Sequence, residues 1–203
     1  MKTARLLALG VLSIGLFGWV DDPLWRLLQG TGWERLAELR IPSLLLSLAL
    51  ALGCGGARQL LPPSQKAPWA RLAALALSWL VPTLLVLLIA HPAPMVALPR
   101  LTDRIAHLGT GLLAEELLFR GALQPLASRV TRAPIAILIS SLCFALSHLQ
   151  HHSWQLNASL PQLAITFGMG IVLGWLALAS RSLWPPAVVH AINNTVALVL
   201  SAA

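Results

Sequence analysis

Charge is what this sequence has least of. Of 203 residues, 10% are charged and 57% are hydrophobic, with a mean hydropathy of +0.77. Soluble domains carry about 25% charged residues, so an ordinary soluble domain is excluded and the chain reads as an integral membrane protein. Cysteine is nearly as scarce. Cys54 and Cys143 stand singly in apolar segments with no CxxC spacing, which excludes a disulfide framework or a cysteine zinc site and leaves two small hydrophobes. No basic run is interleaved with aromatics, so a nucleic-acid partner is excluded. No repeat, low-complexity tract or second domain is visible, and 1–203 reads as a single integral membrane domain. Acid is rarer than base: seven Asp and Glu face 14 Lys and Arg, for a net charge of +7. In a membrane chain that excess marks cytoplasmic loops.

What is present is a series of apolar runs long enough for membrane helices. They span roughly Thr3 to Val20, Ile41 to Ala57, Leu72 to Ala90, Ile105 to Ala127, Pro134 to His148, Leu160 to Ser180 and Pro185 to Ser201. Met1 to Val20 has the basic start of a signal peptide, but Gly18-Trp19-Val20-Asp21 lacks a small-x-small cleavage site, so it is kept as the first membrane helix. Between the first two runs, Asp21 to Arg40 mixes Trp25, Trp33 and leucines with charges, the pattern of an amphipathic segment lying in the interface. The expected fold is therefore all-α: a polytopic membrane helix bundle of about seven transmembrane helices plus that interfacial segment. Gly170-x-x-x-Gly174 marks a close helix contact. With the N-terminus inside, the inner segments hold eight Lys and Arg (Lys2, Arg5, Arg58, Lys66, Arg71, Arg129, Arg132, Arg181) and the outer ones five (Arg26, Arg35, Arg40, Arg100, Arg104). The bias predicts a cytoplasmic N-terminus.

Against this background Glu115-Glu116-x-x-x-Arg120 is conspicuous, because Ile105 to Leu113 and Ala122 to Ser128 carry no Asp, Glu, Lys or Arg. A charge at mid-membrane costs about 2.5 kcal/mol or more, so its retention points to function. Glu116 and Arg120, four apart, share a helix face and can pair. Glu115 lies about 100° round the helix, without that partner, and is the carboxylate free for proton chemistry. Two further helices bear unusual polar residues at four-residue spacing: Phe144 with His148, and His190 with Asn194. One membrane histidine alone reads as a structural hydrogen-bonding group. A Glu and two His on three helices point to one shared polar site in the bundle core.

Such a site suits hydrolysis. A carboxylate beside an imidazole can take a proton from water, as Glu115 with His148, and a His and an Asn four apart can donate to a developing oxyanion, as His190 with Asn194. The same Glu115, His148 and His190 would also serve as a catalytic zinc shell, and spacing alone does not separate the two uses.

The three motifs in this order resemble the signature of the CPBP intramembrane proteases, which include CAAX-prenyl endopeptidases of the Rce1 type and bacteriocin-immunity relatives. The resemblance covers 105–201 and includes the N-terminal half only in its hydrophobicity. It implies a membrane-embedded peptidase in which Glu115 and His148 activate water, His190 and Asn194 stabilise the oxyanion, and Glu116 and Arg120 support the site. Phe144 packs beside His148 without a chemical role. Members have been described both as metalloproteases and as metal-independent glutamic proteases; the glutamic reading, with no cofactor, is preferred here, zinc being the alternative. The implied partner is a membrane-associated protein or peptide substrate, prenylated or not, such as a C-terminal sorting tag of the myxosortase-like branch, and the implied location is a bacterial inner membrane. Two rivals are a proton-coupled transporter, which would show repeat symmetry, and an inactive immunity or binding relative, which would lack motif residues that are all present here. Among the remaining histidines, His107 is two turns before Glu115, His148 and His152 have chelating spacing, and His91 and His151 fall in loops.

Overall fold

The computed structural model describes residues 2–31, 39–64, 67–90, 109–149 and 156–201. All regular structure among them is helical: α1 (Lys2–Leu28), α2 (Ile41–Gly53), α3 (Trp69–Ala90), α4 (109–128), α5 (Ala133–Ser147), α6 (Leu156–Ser180) and α7 (Trp184–Ser201), with a short 3-10 turn at Ala57–Leu60. The sequence-expected helices fall within about a turn of these, with two exceptions. The first helix does not stop at Val20 but runs through Pro23 to Leu28, so the start of the expected interfacial segment continues α1. The second stops at Gly53, where Cys54, Gly55 and Gly56 turn the chain and Gly55 takes φ 83°. Residues 32–38 of the interfacial segment, the 91–104 loop, and His91, His107, His151 and His152 lie outside the described residues.

Length and charge set which helices can cross a bilayer alone. Windows in α3 (Trp69–Val86) and α6 (Leu160–Ser180) are long and apolar enough; Thr3–Leu16, Ile41–Gly53 and Ala133–Ser147 are apolar but shorter. Seven full spans are thus more than the described residues support. At 13 residues α2 rises only about 20 Å, against a hydrocarbon core of about 30 Å. The outer faces are nonetheless apolar: Leu77, Val81, Leu85, Val86 and Ile89 of α3 and Ile135, Leu138 and Leu142 of α5 are exposed. Apolar surface of that extent fits contact with lipid.

The core is ordered around α4. Its middle, Leu117–Leu123, winds as a π-helix in which every residue is buried, and the Gln124 N–H reaches back to the Phe119 carbonyl. Ser140 Oγ of α5 donates to the same carbonyl at 2.8 Å. π-Turns of this kind concentrate at functional sites. α4 packs on α1, α2 and α5; α5 packs on α6, and α6 with α3 supports α7. Gly121 lets α2 come close, since a Cβ there would sit 3.0 Å from the Ala51 Cβ. At one end of the bundle the turns after α2, α4 and α6 are laced together. Arg129 donates to the Cys54 carbonyl at 2.7 Å, Leu183 N–H to Gln59 O at 2.8 Å, and Ser182 Oγ to Leu61 O at 2.8 Å.

The Gly170/Gly174 pair is spent within the chain. Cβ atoms built at these positions would lie 2.9 Å from the Ser141 Cβ and 2.8 Å from the Ile137 Cγ2, so α6 and α5 meet almost backbone to backbone. On the same helix the Gly170 and Gly174 carbonyls accept hydrogen bonds from Arg120 (3.4 Å) and Gln124 (3.1 Å) of α4. We therefore expect Gly170→Ala to lower stability by about 1–3 kcal/mol through overpacking. Gly53→Ala, where a Cβ would meet nothing within 4 Å, should be neutral in the same thermal melt in detergent.

Candidate active site

The site is assembled from three helices in two tiers. The inner tier is fully buried: Glu116 and Arg120 of α4, Phe144 of α5 and His190 of α7 are each at most 1% exposed. Glu116 and Arg120 sit four apart, one above the other, and pair at 3.1 Å between Oε1 and Nη1. The same Oε1 receives His190 Nδ1 at 2.8 Å. The second nitrogen of Arg120, Nη2, donates to the Gly170 carbonyl, and its guanidinium carbon lies 4.4 Å from the centre of the Phe144 ring. A buried guanidinium thus has a carboxylate, a carbonyl and an aromatic face, which is what a charge taken from water requires.

Phe144 is more than the neighbour of His148 that the spacing suggested. Its ring stands edge-on to Phe119 (5.2 Å between centroids), His148 (4.8 Å) and His190 (5.7 Å), as well as under Arg120. It spaces the two imidazoles apart and fixes the plane of each.

The outer tier is partly open. Glu115 is 12% exposed, with Oε2 3.7 Å from His190 Nε2 and Oε1 3.8 Å from Arg40 Nη1. His148, the C-cap of α5, bonds the Phe144 carbonyl through Nδ1 at 2.9 Å, with Ser147 Oγ at 3.4 Å. A carbonyl only accepts, so Nδ1 carries the proton and Nε2 is the nitrogen that can take one. His148 lies within electrostatic range of Glu115, His190 and Arg40. The same reasoning applies to His190: an ionised Glu116 can only accept, so its Nδ1 is protonated and Nε2 faces Glu115.

Glu115 and His190 are therefore brought to 3.7 Å, with His148 within electrostatic range of both, and Glu116, Arg120 and Phe144 stand together behind them. Among the described residues Asn194 is not joined to the cluster by a hydrogen bond: its Oδ1 accepts from Asn193 Nδ2 at 3.4 Å, and Asn193 in turn accepts from Trp79 of α3 at 3.2 Å. Two features escaped the sequence. Glu116 grips His190 as well as Arg120, because a partner on another helix is invisible to i, i+4 spacing. Glu115 has cationic company in Arg40, which the residue pattern placed at the end of the interfacial segment. Arg40 sits in the left-handed region (φ 53°) just before α2, packed beside Gly111. A basic residue immediately ahead of Ile41-Pro42 was the one available hint. Among the described residues no three His, Cys, Asp or Glu side chains gather as metal ligands, and Glu115, His148 and His190 do not form such a set.

The inner tier should behave as one electrostatic unit. Glu116→Ala leaves Arg120 buried without its counter-charge and is expected to cost about 3–5 kcal/mol. Arg120→Lys keeps the charge but not the fork that reaches Glu116 and Gly170 together, so its melting temperature in detergent should fall as well.

No curated protein and no solved structure matches the chain. A family model does, that of the type II CAAX prenyl endopeptidase Rce1-like proteins, over residues 102–196. That span takes in Glu115, Glu116, Arg120, Phe144, His148, His190 and Asn194, so the segment that builds the site is similar to the type II CAAX prenyl endopeptidase Rce1-like proteins.

Proposed function

We propose that the protein is a glutamic-type intramembrane endopeptidase that hydrolyses a peptide bond of a membrane-associated protein or peptide. What supports the proposal is the approach of Glu115 to His190 at 3.7 Å, with His148 within electrostatic range of both, at a tier that is partly exposed and backed by paired charges. Glu115 and His148 Nε2 take a proton from water as its oxygen adds to the scissile carbonyl carbon. The oxyanion formed is stabilised by N–H donors, His190 at Nε2 and Asn194 at Nδ2. Since His190 Nδ1 already donates to Glu116, a ring donating at Nε2 is the imidazolium. Asn194 uses its Oδ1 towards Asn193, which leaves its amide nitrogen for the substrate. The 3.7 Å between Glu115 and His190 exceeds a hydrogen bond and admits an inserted oxygen. Collapse of the tetrahedral intermediate returns the proton to the departing amine.

Glu116, Arg120 and Phe144 act through His190 and His148 by holding their rings. A bacterial inner membrane with the N-terminus in the cytoplasm fits the chain's size and its Lys and Arg distribution.

In proteoliposomes presenting a membrane-anchored peptide library, Glu115→Gln and His148→Ala should each lower cleavage by about 10²–10⁴ while the melting temperature is retained. Asn194→Ala should lower kcat by about 10²–10³ with little change in KM. Cleavage should persist after exhaustive chelation; its loss, with restoration by zinc alone, would replace the glutamic mechanism by a metal-dependent one. Proton flux through these vesicles without cleavage would point instead to a transporter.

A further inference from the structure

The end of the bundle where the turns are laced together carries charge of one sign only. The chain's seven Asp and Glu all fall within 21–38 and 103–116. The segments 54–71, 129–132 and 181–183, which follow α2, α4 and α6 in the chain, hold Arg58, Lys66, Arg71, Arg129, Arg132 and Arg181 and no acid. Arg5 of α1 stands at the same end, within electrostatic range of Cys54. Arg129 has the Cys54 carbonyl as its partner. Arg58, Arg71 and Arg181 are exposed, and their guanidinium groups make no ion pair or hydrogen bond among the described residues. Like charges gathered without a counter-charge repel one another, and an anion from outside the chain relieves that repulsion.

Beside these residues an apolar groove of about 320 Å³ opens between α3, α6 and α7. Its wall includes Ala73 and Ala76 of α3, Leu176 of α6 and Val189 of α7, together with Trp69 and Trp184, which are 49% and 52% exposed. Two alanines stand where larger side chains would fill the space. Arg71 follows Trp69 by two residues and Arg181 precedes Trp184 by three. Arg58 lies in the 3-10 turn whose last residue, Leu60, accepts from Trp184 Nε1 at 3.1 Å, while Leu61 accepts from Ser182 Oγ at 2.8 Å. The basic residues therefore crowd one end of the groove.

The lining selects the kind of occupant. Apart from the two indoles, no lining side chain has a hydrogen-bonding atom, and Trp184 Nε1 is already given to Leu60. A peptide seated there would bury main-chain N–H and C=O groups without partners, which is costly away from water. A hydrocarbon chain has no such groups. A cavity of about 150 Å³ accommodates one benzene, so this groove accommodates a stretch of acyl chain on the order of ten carbons.

We propose that the groove and the arginines at its end form a site for an anionic phospholipid, with the phosphodiester headgroup among Arg58, Arg71 and Arg181 and one acyl chain between α3, α6 and α7. A phosphate is the acceptor that the guanidinium fork matches, and tryptophans sit at headgroup depth. By the Lys and Arg count this end faces the cytoplasmic leaflet, where anionic lipid attracts basic residues. Val189 puts the occupant against the helix that carries His190, one residue away. The proposal does not depend on the peptidase reading, and a chain inactive as a protease would still bind the lipid.

The test uses the full-length protein in neutral detergent, titrated with phosphatidylglycerol or phosphatidylcholine bearing brominated acyl chains, which quench tryptophan on contact. Phosphatidylglycerol should quench saturably at concentrations about ten- to a hundredfold below those that phosphatidylcholine requires, since each basic residue near the headgroup is worth about fivefold in affinity. Trp69→Phe combined with Trp184→Phe should remove most of the saturable signal. The triple variant Arg58→Gln, Arg71→Gln, Arg181→Gln alters exposed side chains only, so it should keep the wild-type melting temperature while binding the two lipids equally. Ala73→Phe, which fills the groove from an exposed position, should weaken quenching by both lipids at least several-fold. Glycerophosphoglycerol, the headgroup without acyl chains, should not displace the lipid at equal concentration. Equal quenching by the two lipids in the wild type, or an unchanged preference in the arginine variant, overturns the headgroup site. Quenching that survives the loss of Trp69 and Trp184, or displacement by the headgroup alone, overturns the acyl groove.

Discussion

Everything at the centre of this bundle depends on the triple contact at Glu116. One carboxylate oxygen, 1% exposed, accepts from Arg120 on its own helix and from His190 on α7. Bringing a guanidinium and a carboxylate out of water costs several kcal/mol per ion, and the attraction repays this only where geometry and further hydrogen bonds are good. Here the further bonds exist. Arg120 reaches the Gly170 carbonyl and lies over Phe144, so each of its polar faces is met by a different helix. The contact registers α4, α5, α6 and α7 against one another. A hydrophobic bundle has little else to select one rotation of a helix over another, because apolar side chains pack on lipid as readily as on each other.

That registration explains the two tiers. The buried pair at Glu116 and Arg120 sets the depth and rotation of α4, and the adjacent Glu115 is thereby turned towards the opening. His190 spans the tiers, with one ring nitrogen on each carboxylate. Phe144 separates the imidazoles from within, leaving His148 anchored to the carbonyl at its own helix end. The π-turn supports the arrangement from the α4 side, since its extra residue per turn directs Leu117–Leu123 into the core and places Gly121 on α2. Small residues do the complementary work. Gly170 and Gly174 allow α5 close enough for their carbonyls to meet Arg120 and Gln124 on the other side.

The similarity to the Rce1-like family covers 102–196, the part of the chain that carries the three polar motifs. The N-terminal helices, outside that span, are not passive. α2 provides Leu44 and Leu48 to a cavity that Glu116 also lines, and the residue preceding it, Arg40, stands beside Glu115.

By itself the sequence determined the helical class, the helix positions to about a turn, and the candidate residues. Apolar runs and three polar motifs at four-residue spacing are local patterns, and an α-helix converts local spacing directly into a shared face. The pairing of Glu116 with Arg120 belongs to the same class, since both partners lie on one helix. The tertiary structure alone decided which groups meet across helices: the grip of Glu116 on His190, the approach of Arg40 to Glu115, the ring of Phe144 between two imidazoles, and Asn194 turned to Asn193. It also decided where the first two helices end and how short α2 is, because a glycine turn and a proline within a helix are judged by packing. Rotation and depth of one helix against the next depend on ridges, small residues and buried charges from distant parts of the chain, and no periodicity within a single segment encodes them.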